Sequence, residues 1–182
     1  MAISLVISMF AVGVIVAMLA IQVVRTWWKY RGDRMITCPG NLRAAGISVD
    51  ARRAATHPFA RKPELRISSC SRWPQQGKCG QECLKQVAES PSDCLVRHIL
   101  IQWYAGKSCA SCRRPFGEIP LVGVKPAVLC ADKKSVGWTE IPADRLTETL
   151  AAGAPICFGC HMANSLIRNR PQLVVDRHRT VG

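Results

Sequence analysis

The chain has 182 residues, 25 Lys and Arg against 12 Asp and Glu for a formal charge of +13, and ten cysteines. That length holds one ordinary domain, or one anchor followed by a modest domain. Ten thiols exclude an ordinary cytosolic enzyme and point to disulfides or to metal, according to the compartment.

Residues Ile3 to Val24 are apolar apart from Ser4, Ser8 and Gln22. A helix rising about 1.5 Å per residue crosses the roughly 30 Å hydrocarbon core of a bilayer over this length. A cleaved signal peptide needs a basic start, an apolar run of about 7 to 15 residues and a small-residue cleavage site. None of these is present, so residues 1–24 read as a retained, single-pass anchor. The flank RTWWKYRGDR follows, with Trp27, Trp28 and Tyr30 suited to the headgroup region and Arg25, Lys29, Arg31 and Arg34 supplying charge. The positive-inside bias then places the C-terminal body in the cytoplasm, beneath an inner or plasma membrane.

Between Arg25 and Lys78 twelve basic residues face three acidic ones. Residues 25–66 therefore read as a basic juxtamembrane segment and linker drawn to anionic lipid headgroups, each basic side chain contributing about 1 kcal/mol near the surface. Nucleic acid is disfavoured as a partner, because neither interleaved aromatics nor a helix-turn-helix pattern accompanies the charge. Within this segment Ile47-Ser48-Val49-Asp50 alternates as a short strand would.

In a cytoplasmic body thiols stay reduced, and clustered cysteines bind metal more often than they pair. Residues 67–106 form a helical cysteine-rich segment, with a short helix expected over Glu82–Ala88. A second is expected from the Ser90-Pro91-Ser92-Asp93 cap to Gly106, with Leu95, Ile99 and Trp103 on one face. Cys70, Cys79, Cys83 and Cys94 are candidates for a second metal site, with Cys38 a further candidate and an iron–sulfur cluster an alternative occupant.

Residues 107–171 carry the sharper pattern: Cys109-x-x-Cys112, 44 residues, then Cys157-x-x-Cys160. A tight turn between two thiolates aims both at one ion roughly 2.3 Å away. KSCASCRRPFGEI reads as a knuckle, and PAVLCADKKSVGWTEI reads as a hairpin turning at Asp132-Lys133-Lys134. Pro142 opens and Gly153 closes a short helix. The second pair begins a further helix that stops before Pro171. Cys130, inside the hairpin, reads as a buried small hydrophobe.

Knuckle, hairpin and a helix whose first turn supplies the second pair resemble a treble-clef or zinc-ribbon-like four-cysteine domain over about residues 107–171. The resemblance implies an α+β, metal-stabilised body with a treble-clef-like C-terminal half, with Cys109, Cys112, Cys157 and Cys160 holding zinc. A basic tail, 172–182, completes the chain. Cys157, Cys160 and His161 also spell C-x-x-C-H, the haem c attachment pattern, which would require a periplasmic body.

No phosphate-binding loop, H-E-x-x-H helix or G-x-S-x-G elbow is present. The expectation is therefore a non-enzymatic, membrane-anchored, cytoplasmic zinc domain that acts as an interaction, accessory or assembly component of a membrane complex. Electron transfer through haem c or an iron–sulfur cluster is the alternative.

Overall fold

The computed structural model describes residues 2–56, 63–73, 79–120 and 123–173. His57, His178 and the basic tail beyond residue 173 lie outside the described residues. The fold mixes helix and sheet in two compact units, residues 1–96 and 97–182.

The first unit begins with α1, Ala2–Tyr30. Its stretch Val6–Tyr30 is long and apolar enough to cross a membrane, and none of its most apolar window is buried against the rest of the chain. Strands β1 (Asp33–Thr37), β2 (Ala44–Val49) and β3 (Ile67–Cys70) follow as an antiparallel sheet with β2 in the centre. The alternation in β2 turns Ala45, Ile47 and Val49 inward. Helix α2, Ala51–Ala55, starts where the Asp50 carboxylate accepts from the backbone N–H groups of Arg52 and Arg53 at 3.1 and 3.0 Å. Tyr30, Ile36, Ile67 and Val87 complete the core, the last from α3, Leu84–Glu89.

Arg34 departs from the sequence reading. Instead of meeting lipid headgroups it is fully buried, and its guanidinium donates to the carbonyls of Tyr30 at 2.7 Å, Lys29 at 2.7 Å and Gly32 at 3.0 Å. The last turn of a helix leaves carbonyls without intrahelical partners and carries partial negative charge, so a cation there is doubly favourable. Much of the expected linker is likewise folded, since β1, β2 and α2 all lie within residues 25–66.

The second unit is entered through α4, Val96–Tyr104, whose Leu100 and Tyr104 are buried. The Tyr104 ring meets Trp103, Phe116 and Trp138 at centroid distances of 4.8, 5.0 and 5.8 Å. Strands β4 (Ala127–Leu129), β5 (Ser135–Gly137) and β6 (Ala154–Ile156) form an antiparallel sheet in the order β5-β4-β6. The hairpin has Val128 opposite Val136, with Lys133 in the left-handed region at φ 60°. Trp138 opens a short 3-10 turn instead of extending β5. A 3-10 turn, Ala143–Arg145, precedes α5, Leu146–Ala152, which buries Leu146 and Leu150 on one face. Helix α6, Phe158–Asn169, follows β6 directly.

Gly153 ends α5 where the chain presses against β4. A Cβ there would run into Val128 Cγ1 and lie 2.6 Å from the Thr149 carbonyl oxygen. The carbonyl belongs to the helix and cannot turn aside. Gly153→Ala is therefore expected to destabilise the second unit by about 1–3 kcal/mol, read as a lower urea midpoint with unchanged slope for the full chain in detergent.

Candidate metal centre

Cys109 and Cys112 lie on a turn closed by two backbone hydrogen bonds, Cys109 N–H to the Arg114 carbonyl and Arg113 N–H to the Cys109 carbonyl, each 2.9 Å. Arg113 sits at φ 62°, which lets the chain reverse within these few residues. The turn is fastened to β6 by the Ala110 N–H, which donates to the Pro155 carbonyl at 2.8 Å. Two residues further on, Cys157 stands in extended backbone as the N-cap of α6, and Cys160 falls in that helix's first turn.

This arrangement gathers four sulfurs from two segments. Those of Cys109, Cys112, Cys157 and Cys160 all lie within 4.8 Å of one another and can hold a metal ion. The Cys112 and Cys157 sulfurs are 3.7 Å apart, and the Cys157 N–H donates to the Cys109 sulfur at 3.3 Å. Cys109 is fully buried against Ala127 and Ile156, while Cys112 is exposed.

Electrostatically Cys109 and Cys160 move in opposite directions. Burial works to raise the Cys109 thiol, but the backbone N–H groups of Cys112, Cys157 and Ser111 outweigh it and hold it down to about 6. At Cys160 the Ser111 hydroxyl favours the thiolate, yet the sulfurs of Cys157, Cys112 and Cys109, together with burial, push it up to about 12. The site stabilises a first thiolate and resists a further one, which is the condition a cation relieves.

His161 takes a structural place. Its Nδ1 is 2.9 Å from the Ser135 hydroxyl at the start of β5. Further along α6, the Arg168 guanidinium donates to the Lys133 carbonyl at 2.7 Å. These contacts moor α6 across the hairpin turn. Cys130 lies in that turn, its N–H donating to the Lys134 carbonyl at 2.8 Å, outside the sulfur cluster.

The first unit redistributes the remaining candidates. Cys38, Cys70, Cys79 and Cys83 line one cavity of about 290 Å³. Burial first, and then the neighbouring sulfurs of Cys79, Cys70 and Cys38, push the Cys83 thiol up. Cys94 is elsewhere: its sulfur is 3.7 Å from the Pro91 carbonyl. Burial pushes its thiol up, and the Arg34 guanidinium beside it works in the opposite direction. Cys38, the further candidate of the sequence, thus lines a cavity with Cys70, Cys79 and Cys83 that Cys94 does not line.

Comparison with protein-family models, curated proteins and solved structures finds no match to this chain.

Cys109→Ser is expected to abolish metal binding at the four-sulfur cluster and the cooperative unfolding of the second unit, measured by metal analysis and thermal melts. Protons compete with metal for thiolates, so retention is expected near neutral pH and release as the solution is acidified. His161→Ala, by contrast, should leave metal content unchanged and cost about 1 kcal/mol for the hydrogen bond lost to Ser135. Loss of the metal in that variant would make His161 a ligand.

Proposed function

We propose that this chain is a single-pass membrane protein whose cytoplasmic, zinc-stabilised body acts as a docking or assembly component of a membrane complex. The observation that carries the reading is the convergence of two C-x-x-C pairs on one small volume, in a chain that starts with an exposed apolar helix. A tetrahedron of roughly 2.3 Å zinc–sulfur bonds has edges of about 3.8 Å. The 3.7 Å between Cys112 and Cys157 suits that edge. The succession of knuckle turn, hairpin and helix start supports a treble-clef-like scaffold.

The anchor reading draws on α1. Ile3 and Phe10 are 77% and 73% exposed, and such a run of apolar surface requires a nonaqueous cover. The helix continues without a break to Tyr30, which is buried in the core of the first unit. Helix and body are one continuous element, which favours retention over cleavage. Arg25, Lys29 and Arg31 remain at the body-proximal end of the helix and support the inside orientation.

Zinc here serves structure. Four thiolates complete its coordination and leave no open position for substrate, so the body binds partners and does not turn over a substrate. The haem alternative loses support because Cys157 and Cys160 face two other sulfurs and His161 is engaged by Ser135.

Three measurements on the full chain test the reading. Metal analysis and a visible spectrum should show zinc and no Soret band. A C-terminal reporter fusion should be active only on the cytoplasmic side. Crosslinking in native membranes should give discrete protein adducts that Cys109→Ser abolishes. A Soret band or external reporter activity overturns it.

A further inference from the structure

We infer that the first unit holds a second metal centre, in which Cys38, Cys70, Cys79 and Cys83 are the four thiolate ligands of a thiophilic metal, either one zinc ion or one iron–sulfur cluster. The centre is independent of the one in the second unit. The two occupants share the same tetrathiolate chemistry and differ in what the protein absorbs and contains.

The backbone at Cys38 carries the argument furthest. In the Cys109 turn, the cysteine N–H donates to the carbonyl five residues on, and the N–H four residues on donates back to the cysteine carbonyl. Around Cys38 the same pair recurs, Cys38 N–H to the Arg43 carbonyl at 2.9 Å and Leu42 N–H to the Cys38 carbonyl at 2.8 Å. The residue four places on is left-handed in both turns, Leu42 at φ 55° and Arg113 at φ 62°. Leucine seldom adopts that conformation, since its Cβ crowds the backbone there. The β1–β2 connection is therefore built as a ligand turn with one cysteine in place of two.

Two further sulfurs are already acceptors from their own loops. Arg72 N–H donates to the Cys70 sulfur at 3.5 Å, and Gln81 N–H donates to the Cys79 sulfur at 3.4 Å. Each donor lies two residues beyond its cysteine, so each loop folds back on its own sulfur. Glutamine side chains then hold the segments together. The Gln86 amide bridges both polar groups of the Thr37 backbone, accepting at 3.1 Å and donating at 2.7 Å, and so fixes α3 against the residue before Cys38. The Gln81 amide oxygen accepts from the Ile67 N–H at 3.0 Å, fixing the Cys79–Cys83 loop against β3.

The second ring is wider than the first. Among the described residues, only the cluster in the second unit brings three or more such ligand atoms within 4.8 Å of one another. The cavity of about 290 Å³ between Cys38, Cys70, Cys79 and Cys83 gives room either for the side chains to close on one ion or for a cluster.

The test is metal and iron content per full-length chain in detergent, with the visible spectrum, for the wild type and four variants. Two centres per chain are expected. Cys38→Ser and Cys79→Ser should each lose one of them and retain the other, Cys109→Ser should lose the complementary one, and Cys94→Ser should keep both. Zinc alone identifies a second ion, while iron with visible absorbance identifies a cluster. Cys79 is exposed, so serine there leaves no buried hole, and retained near-UV circular dichroism of the first unit in that variant separates loss of a ligand from loss of the fold. One centre per chain in the wild type, unchanged in the Cys38 and Cys79 variants, overturns the inference. Loss of the second centre in Cys94→Ser with retention in Cys38→Ser overturns the ligand set.

Discussion

Four sulfurs within 4.8 Å of one another are the constraint around which the second unit is arranged. Backbone N–H groups favour the thiolate at Cys109, while the neighbouring sulfurs disfavour one at Cys160. A divalent cation reverses the sign of the interaction. Apparent binding energies of about 10–16 kcal/mol at structural zinc sites exceed what a small domain obtains from its core alone. The fully buried apolar cluster beside the site consists of Cys109, Ala127 and Ile156, with Phe116, Leu129, Cys157 and Cys160 packed partly buried against it. The cluster lies where the Cys109 turn, β6 and the first turn of α6 meet.

Arg34 plays the corresponding part at the other end of the chain. A helix whose outer surface is apolar would ordinarily leave its last carbonyls to water or headgroups. Here one buried guanidinium takes three carbonyls and carries the chain directly into β1. Tyr30 enters the core on the same turn, and Arg31 stacks over Trp27 with its guanidinium 4.6 Å from the ring centroid. The end of the apolar helix is thus part of the folded body, with no flexible tether between them.

The four-cysteine cluster was legible because two C-x-x-C pairs concentrate their ligands locally, and the hairpin was legible from Val128, Val136 and the polar turn between them. Gly153 ends α5 as its composition suggested, although its necessity comes from Val128, which is distant in sequence. β1 was not legible. Its residues, Asp33-Arg34-Met35-Ile36-Thr37, continue a basic flank, and charge near an apolar helix reads as lipid contact unless the burial of Arg34 is known. β3 and β6 are too short, at four and three residues, to show a period of their own.

Cys38 shows most clearly what spacing cannot convey. Sequence proximity favours Cys94, eleven residues from Cys83, over Cys38, which is forty-five away. Yet Cys94 turns toward Arg34, and the backbone at Cys38 repeats the hydrogen bonds of the Cys109 turn. A ligand turn with two cysteines needs one partner segment, as the pairing of Cys109 and Cys112 with α6 illustrates. A turn with one cysteine would need ligands from more places, such as the end of β3 and the loop before α3. The cost is a larger loop-closure entropy before the first metal bond forms, though that cost grows only logarithmically with loop length. A metal bound there would tie the β1–β2 turn, β3 and the start of α3 together, beside the apolar core to which Ile47, Ile67 and Val87 contribute.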